Sequence, residues 1–243
     1  MRLISKIDIK NNYVIKSIMY DGVKKIGDPI EICNKLYTSN VDEFFITNFV
    51  DTLYQFSDIN RILSYLSKNF FLPITVGGGI QSIKELDNLF KNGADKISLN
   101  SALFEDTNLL KEAVTHYGSQ SISVTIQAKQ VDNAWYAFKN MARENSNFLV
   151  SDWMNKCQDL GAGEIILINV ERDGTQRGFD LDLIDSICDV NVPLVVSGGI
   201  VNFNDIENIV QKKIINGISI NSAIYNNLLK ISDVKDKLKE LLK

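Results

Sequence analysis

A parallel (βα)8 barrel, an α/β fold, is what this sequence predicts, on two observations. Eight short apolar runs alternate with longer amphipathic segments, and the second half of the chain repeats the first. Length agrees: 243 residues, 45% of them hydrophobic, are ordinary for one such barrel and fill a large core. We therefore expect a single barrel domain over 1–243, built from half-barrels of about 1–119 and 120–243.

The apolar runs fall at 2–9, 43–50, 73–77, 95–99, 121–126, 164–170, 193–197 and 217–220. They are continuous rather than alternating, as in strands covered on both faces, which is the mark of a parallel sheet wrapped by helices. After the third run Ile80, Ile83, Leu86, Leu89 and Phe90 follow near helical spacing until Gly93. Only 130–150 breaks the rhythm, and VDNAWYAFKNM there reads as a hairpin inserted after the fifth strand. The polar stretch 11–28 is long enough to close over a ligand.

The repeat is direct. PITVGGGI at 73–80 matches PLVVSGGI at 193–200 at five of eight positions, and ISLNSALF at 97–104 matches ISINSAIY at 218–225 at five of eight. EFFITN at 43–48 echoes EIILIN at 164–169, and IDIK at 7–10 echoes IQAK at 126–129. Nothing near residue 120 reads as a linker, so two half-barrels explain the pattern better than two domains.

Composition removes several classes of function. A net charge of -4 with scattered Lys and Arg leaves no basic stripe for nucleic acid. No run of about eighteen apolar residues would span a bilayer and MRLISKIDIK lacks a signal-peptide core, so no membrane partner and a cytoplasmic location are expected. Cys33, Cys157 and Cys188 lie far apart, with His116 the sole histidine. Neither a disulfide framework nor a metal site follows. All three cysteines are expected in the core, His116 in a surface loop, and no cofactor is called for.

In such a barrel the functional face is the C-terminal end of the strands. The repeats bring there Gly78, Gly79, Asn100 and Ser101 from one half, and Gly198, Gly199, Asn221 and Ser222 from the other. Glycines let backbone N–H groups approach an anion, and Asn and Ser add donors. Two phosphate cradles across one mouth are predicted, hence a phosphorylated small-molecule ligand.

Asp8-Ile9-Lys10, GDP at 27–29, TVGGGI at 75–80, GADKISLNSA at 93–102, YGSQ at 117–120, GAGEI at 161–165, RDGT at 172–175, GFDLDLI at 178–184 and SGG at 197–199 resemble, in order and along nearly the whole chain, one family. It is the cyclase subunit of imidazole glycerol phosphate synthase. The resemblance implies a lyase that accepts ammonia from a separate glutaminase subunit, passed through the barrel to a bis-phosphorylated ribulosyl substrate. It further implies that Asp8 and the position of Gln127 hold the general acid and base, that Lys16 reaches substrate from the first loop, and that Asp173 and Gly174 shape the second phosphate site. Arg2, Glu43, Lys96 and Glu164 match the charged ring at the N-terminal face where ammonia enters.

The departures sit at the mouth. A carboxamide cannot exchange a proton as a carboxylate does, so Gln127 keeps hydrogen bonding and loses acid–base work. Asn48 stands in place of a second aspartate, Glu171 in place of another, and Asn12 and Ser17 replace loop glycines. These changes are similar to those of second-copy barrels found with surface-polysaccharide or flagellin sugar genes. The favoured reading is thus an ammonia-accepting, cyclase-type subunit of a glutamine amidotransferase complex that supports amidation of such a sugar, with a sugar amidotransferase as a further partner. The alternative is the cyclase of histidine biosynthesis, which forms imidazole glycerol phosphate and an aminoimidazole carboxamide ribotide. A phosphosugar isomerase or aldolase would need a Schiff-base lysine, for which Lys129 is the nearby candidate.

Overall fold

Strand formation follows the β-branched, apolar runs, and the computed structural model, which describes residues 1–49 and 57–243, contains twelve strands among those residues. They are β1 (Arg2–Lys10), β2 (Tyr13–Ile18), β3 (Asp21–Gly27), β4 (Glu43–Asn48), β5 (Ile74–Gly77), β6 (Lys96–Leu99), β7 (Ile122–Val131), β8 (Ala134–Lys139), β9 (Glu144–Leu149), β10 (Glu164–Asn169), β11 (Leu194–Ser197) and β12 (Ile215–Ile220). Eight of them pair in parallel in the order β1, β4, β5, β6, β7, β10, β11, β12. Pairing of β12 with β1, from Arg2↔Gly217 to Ser5↔Ile220, closes the ring. Each of the eight predicted runs holds one barrel strand; residue 50, at the end of the second run, lies outside the described residues.

The other four strands are two hairpins, one per half. β1 runs on into β2 and β3, and β7 into β8 and β9, all antiparallel. Asn11 and Asn12 take φ of 47° and 65°, and Asp132 and Asn133 take 48° and 64°. Two positive-φ residues in succession make the tight turn whose twist suits a hairpin, and Asn and Asp tolerate it. The inserted segment at 130–150 is the hairpin expected there. The stretch 11–28, read as a loop, is a matching hairpin, so the insertion obeys the repeat instead of breaking it.

Helices cover the outer face, and their starts repeat too. Ser82 caps Ile83–Lys91, accepting from Glu85 N at 3.4 Å while Glu85 accepts from Ser82 N at 3.0 Å. Asn202 and Asp205 do the same for Phe203–Gln211, at 3.0 and 3.1 Å. The helix read from Ile80 therefore starts three residues later, at the residue after its cap. A continuous core of strand and helix side chains, including the fully buried Leu63, Leu86, Leu110 and Trp153, separates the two layers. Cys33 and Cys157 belong to it, but Cys188 is exposed beyond the short helix Asp182–Asp185. His116 is exposed, in the last turn of Asn108–Tyr117 rather than in a loop, with Nδ1 2.8 Å from Glu112 O. Among the described residues no helix is long and apolar enough to cross a membrane.

Candidate functional site

Side chains alternate along a strand, so on β1 the even-numbered residues Arg2, Ile4, Lys6 and Asp8 point into the barrel. They sample it from foot to mouth.

At the foot four charges form a closed ring. Arg2 Nη1 donates to Glu43 Oε2 at 2.7 Å, and its other terminal nitrogen donates to Glu164. Lys96 Nζ lies 3.2 Å from Glu43 Oε1 and 3.3 Å from Glu164 Oε1. Glu43 Oε1 also accepts from Thr75 Oγ1 at 2.6 Å. All four residues named from the sequence meet here, each supplied by a different strand. Burial works against the Arg2 charge, but Glu164 and then Glu43 outweigh it and hold the guanidinium above its ordinary pKa.

At the mouth Asp8 is 1% exposed and held from three sides. Lys6 Nζ donates to its Oδ2 at 2.9 Å, Asn221 Nδ2 donates to the same oxygen at 2.6 Å, and the Thr47 hydroxyl donates to Oδ1. Gln127, also buried, differs: its Oε1 accepts no hydrogen bond. Gln127 lines a cavity whose walls also include Gly78, Gly79, Asn100 and Ser101, along with Thr47, Thr125, Tyr20 and Asn140. The first predicted cradle and Gln127 thus share one cavity. Asn140 N–H donates to Ser101 Oγ at 2.9 Å and ties the second hairpin to this cradle.

The glycines are there because backbone comes close. Gly78 has φ +94°, and a Cβ on it would sit 2.3 Å from Asn48 O; Gly198 has φ +93°, and its Cβ would sit 2.2 Å from Asn169 O. Each half therefore uses a glycine in the same way, against the Asn that ends the preceding strand. The second cradle lies beside Lys16, which donates to Asn226 Oδ1 just beyond the helix Ser222–Tyr225. Asp173 is buried next to Lys6, with Oδ2 3.7 Å from Nζ, and its carbonyl accepts from Met19 N–H of the first hairpin at 2.8 Å. Burial raises the Asp173 carboxyl above its ordinary pKa, with Lys6 opposing and Asp8 adding to the shift. Lys129 is committed elsewhere, donating to Ala142 O at 2.5 Å under the second hairpin, and Glu171 accepts from Gln130 N–H at 2.9 Å.

Residues 2–230 match the family described as histidine biosynthesis protein. Imidazole glycerol phosphate synthase subunit HisF of Lactococcus lactis subsp. lactis (strain IL1403) is 34% identical over 240 residues, 98% of this chain and 93% of that relative. The chain belongs to the HisF family. The subunit HisF of Bacillus cereus (strain AH187) is 35% identical across 98% of this chain and 95% of its own length. That of Natranaerobius thermophilus (strain ATCC BAA-1301 / DSM 18059 / JW/NM-WN-LF) is 30% identical over 240 residues.

One residue of this HisF-like mouth escaped the sequence reading. Lys6 is fully buried, and its ammonium lies 4.9 Å from the centre of the Tyr20 ring as well as beside both aspartates. Burial alone would lower its pKa, but Asp8, with Tyr20 and Asp173, raises it well above the ordinary lysine value. The signal was available: a lysine inside a continuous apolar run, two residues before Asp8 and so on the same face of the strand.

Proposed function

We propose that this chain is the ammonia-accepting cyclase subunit of an imidazole glycerol phosphate synthase. In this reading a glutaminase subunit docks on the N-terminal face, in the cytoplasm, and its ammonia passes the Arg2, Glu43, Lys96 and Glu164 ring and the barrel bore. At the mouth it meets a ribulosyl bis-phosphate whose two phosphates rest on Gly78, Gly79, Asn100 and Ser101, and on Gly198, Gly199 and Ser222 with Lys16. The supporting observation is the pairing of a closed charged ring at one end of the bore with a buried, three-fold hydrogen-bonded carboxylate at the other. Asp8 then carries the proton transfer, Thr47 and Asn221 orient it, and Gln127 Oε1 accepts a hydrogen bond from the substrate or from ammonia.

A second reading keeps the architecture and drops the cyclisation. The chain then hands ammonia on for amidation of a surface-polysaccharide or flagellin sugar by a third protein, a sugar amidotransferase. Gln127 in place of an acid and Lys6 on Asp8 support it, because both remove proton carriers from the mouth.

Ammonium-driven cyclisation of the ribulosyl bis-phosphate by the purified chain decides between them, with Gln127→Asp beside it. Turnover by the parent upholds the first reading. No turnover by the parent but a rate in Gln127→Asp, where one acid–base group is worth about 10²–10⁴-fold, upholds the second. Loss in both would sink the cyclase site altogether.

A further inference from the structure

Beyond occupying Asp8, Lys6 has no assigned task in either reading, and its surroundings are those of a bound cation. Its Nζ faces Asp8 Oδ2 at 2.9 Å, Asp173 Oδ2 at 3.7 Å and the Tyr20 ring at 4.9 Å. Two carboxylates and an aromatic face are a set that attracts a small cation, most of all one carrying N–H donors. All three are buried and come from different parts of the chain: β1, the segment after β10, and the turn between β2 and β3. The first hairpin closes this pocket from above, since Met19 N–H bonds Asp173 O, and Tyr20 stacks on Phe49 at 5.7 Å.

We propose that Lys6 is a specificity-determining residue whose ammonium group fills, from within the chain, a cation pocket that ammonium ion would otherwise occupy. A lysine head group and an ammonium ion carry the same charge and the same kind of N–H donors. Held between Asp8 and Asp173, an ammonium ion has no lone pair to give and is lost to any reaction. With Lys6 in place the pocket is full, and its positive charge makes a second cation nearby costly. Neutral ammonia is not repelled and keeps its lone pair, while the acceptors left open at the mouth include Gln127 Oε1, Asn100 Oδ1 and Asn221 Oδ1. The purpose of this arrangement rests on the ammonia-conducting reading; its geometry does not.

Truncation and refilling test it. Lys6→Ala removes three carbons and one nitrogen, the atoms of n-propylammonium. Thermal midpoints of the parent, Lys6→Ala and Lys6→Met chains are compared in sodium, ammonium and n-propylammonium chlorides at equal ionic strength. The parent is expected to unfold at one temperature in sodium and ammonium. Lys6→Ala is expected to unfold lower in sodium and to recover in ammonium and propylammonium, by about 2–4 °C once the salt reaches roughly four times its Kd. Lys6→Met keeps most of the stem without the charge and stops one heavy atom short of it, leaving room for ammonium but not for propylammonium, and is expected to recover in ammonium alone. If Lys6→Ala fails to fold in sodium, refolding in ammonium and propylammonium replaces the midpoint: a folded yield only in those salts supports the pocket, and no folded yield in any salt overturns it. Equal behaviour of the variants in all three salts overturns the proposal, as does stabilisation of the parent by ammonium. Neither glutaminase nor sugar phosphate is present, so the functional reading can fail while the pocket stands, and the reverse.

Discussion

Glu43 meets Arg2 at 2.7 Å at the foot of the barrel, and the two differ in exposure: the Glu43 side chain is 2% exposed and that of Arg2 is 34%. The ring is therefore sealed on its carboxylate side and open to solvent on its guanidinium side, where a partner would reach it.

Removing the sealed member is expected to cost most. Glu43→Ala leaves Arg2 and Lys96 to share Glu164 and strips Thr75 of its acceptor. Breaking a buried pair from one side costs about 3–5 kcal/mol, and the partly exposed Arg2 places this case near the lower end. Urea unfolding should show a lower midpoint at an unchanged slope. Lys139→Ala, which removes a solvent-screened pair with the exposed Glu105, should leave the urea midpoint unchanged.

Alkaline pH is expected to weaken the fold from about pH 9 upward. Burial pushes the Cys33 and Cys157 thiols up from 9.0 to about 12, and raises the Tyr20 and Tyr225 phenols as well. Each of these groups stays protonated in the folded chain while its unfolded counterpart ionises. The folded state thus binds more protons across that window, and stability falls as pH rises, by about 1.4 kcal/mol per pH unit for each group. Urea midpoints at pH 8 and pH 11 measure the loss. A Cys33→Ala, Cys157→Ala chain should lose less between those two pH values, and an equal loss would refute the assignment to the thiols.

The first hairpin is held down by a glycine. Gly174 has φ +74°, and a Cβ there would sit 2.1 Å from Ser17 O. Gly174→Ala should lift β2 and β3 off the Asp173 segment, and the left-handed backbone adds roughly 1–2 kcal/mol of strain. Trypsin reports on it, because Lys24 and Lys25 are exposed on β3. Cleavage there is expected to quicken by about tenfold or more, the factor that corresponds to 1.4 kcal/mol. An unchanged rate would mean that the hairpin docks without that contact.

Much of this was legible in the chain because it is periodic or repeated. Continuous apolar runs mark the eight barrel strands, and the paired GGG and SGG segments point to matching turns, where Gly78 and Gly198 lie against matched asparagines. The four foot charges come from the family resemblance, since a charge at a strand start is by itself ordinary; their meeting in one ring is what the structure adds. Less legible was whatever depends on who faces whom across the bore. Lys6 sits in an apolar run and was passed over, yet its partner Asp173 is more than a hundred residues away, and no local pattern joins them. The first hairpin is hard to read for a different reason: YVIKSI and DGVKKIG are too polar to register as strands until the Asn11–Asn12 turn pairs the first with β1 and the turn at Met19–Tyr20 pairs the second with the first. Cys188 departs from the burial usual for its residue type because it stands in a polar stretch between Asp185 and Asp189.

The two hairpins also set an order of events. A hairpin closed by a two-residue turn forms in about 1–10 μs, whereas β1 waits for β12, which a ribosome adding roughly 5–20 residues per second delivers only tens of seconds later. Alone, a two-stranded ribbon is barely stable in water, so β2 and β3 form and melt many times in that interval. The barrel is committed only when Ser5 finds Ile220, and the covering of the mouth is rehearsed long before there is a mouth to cover.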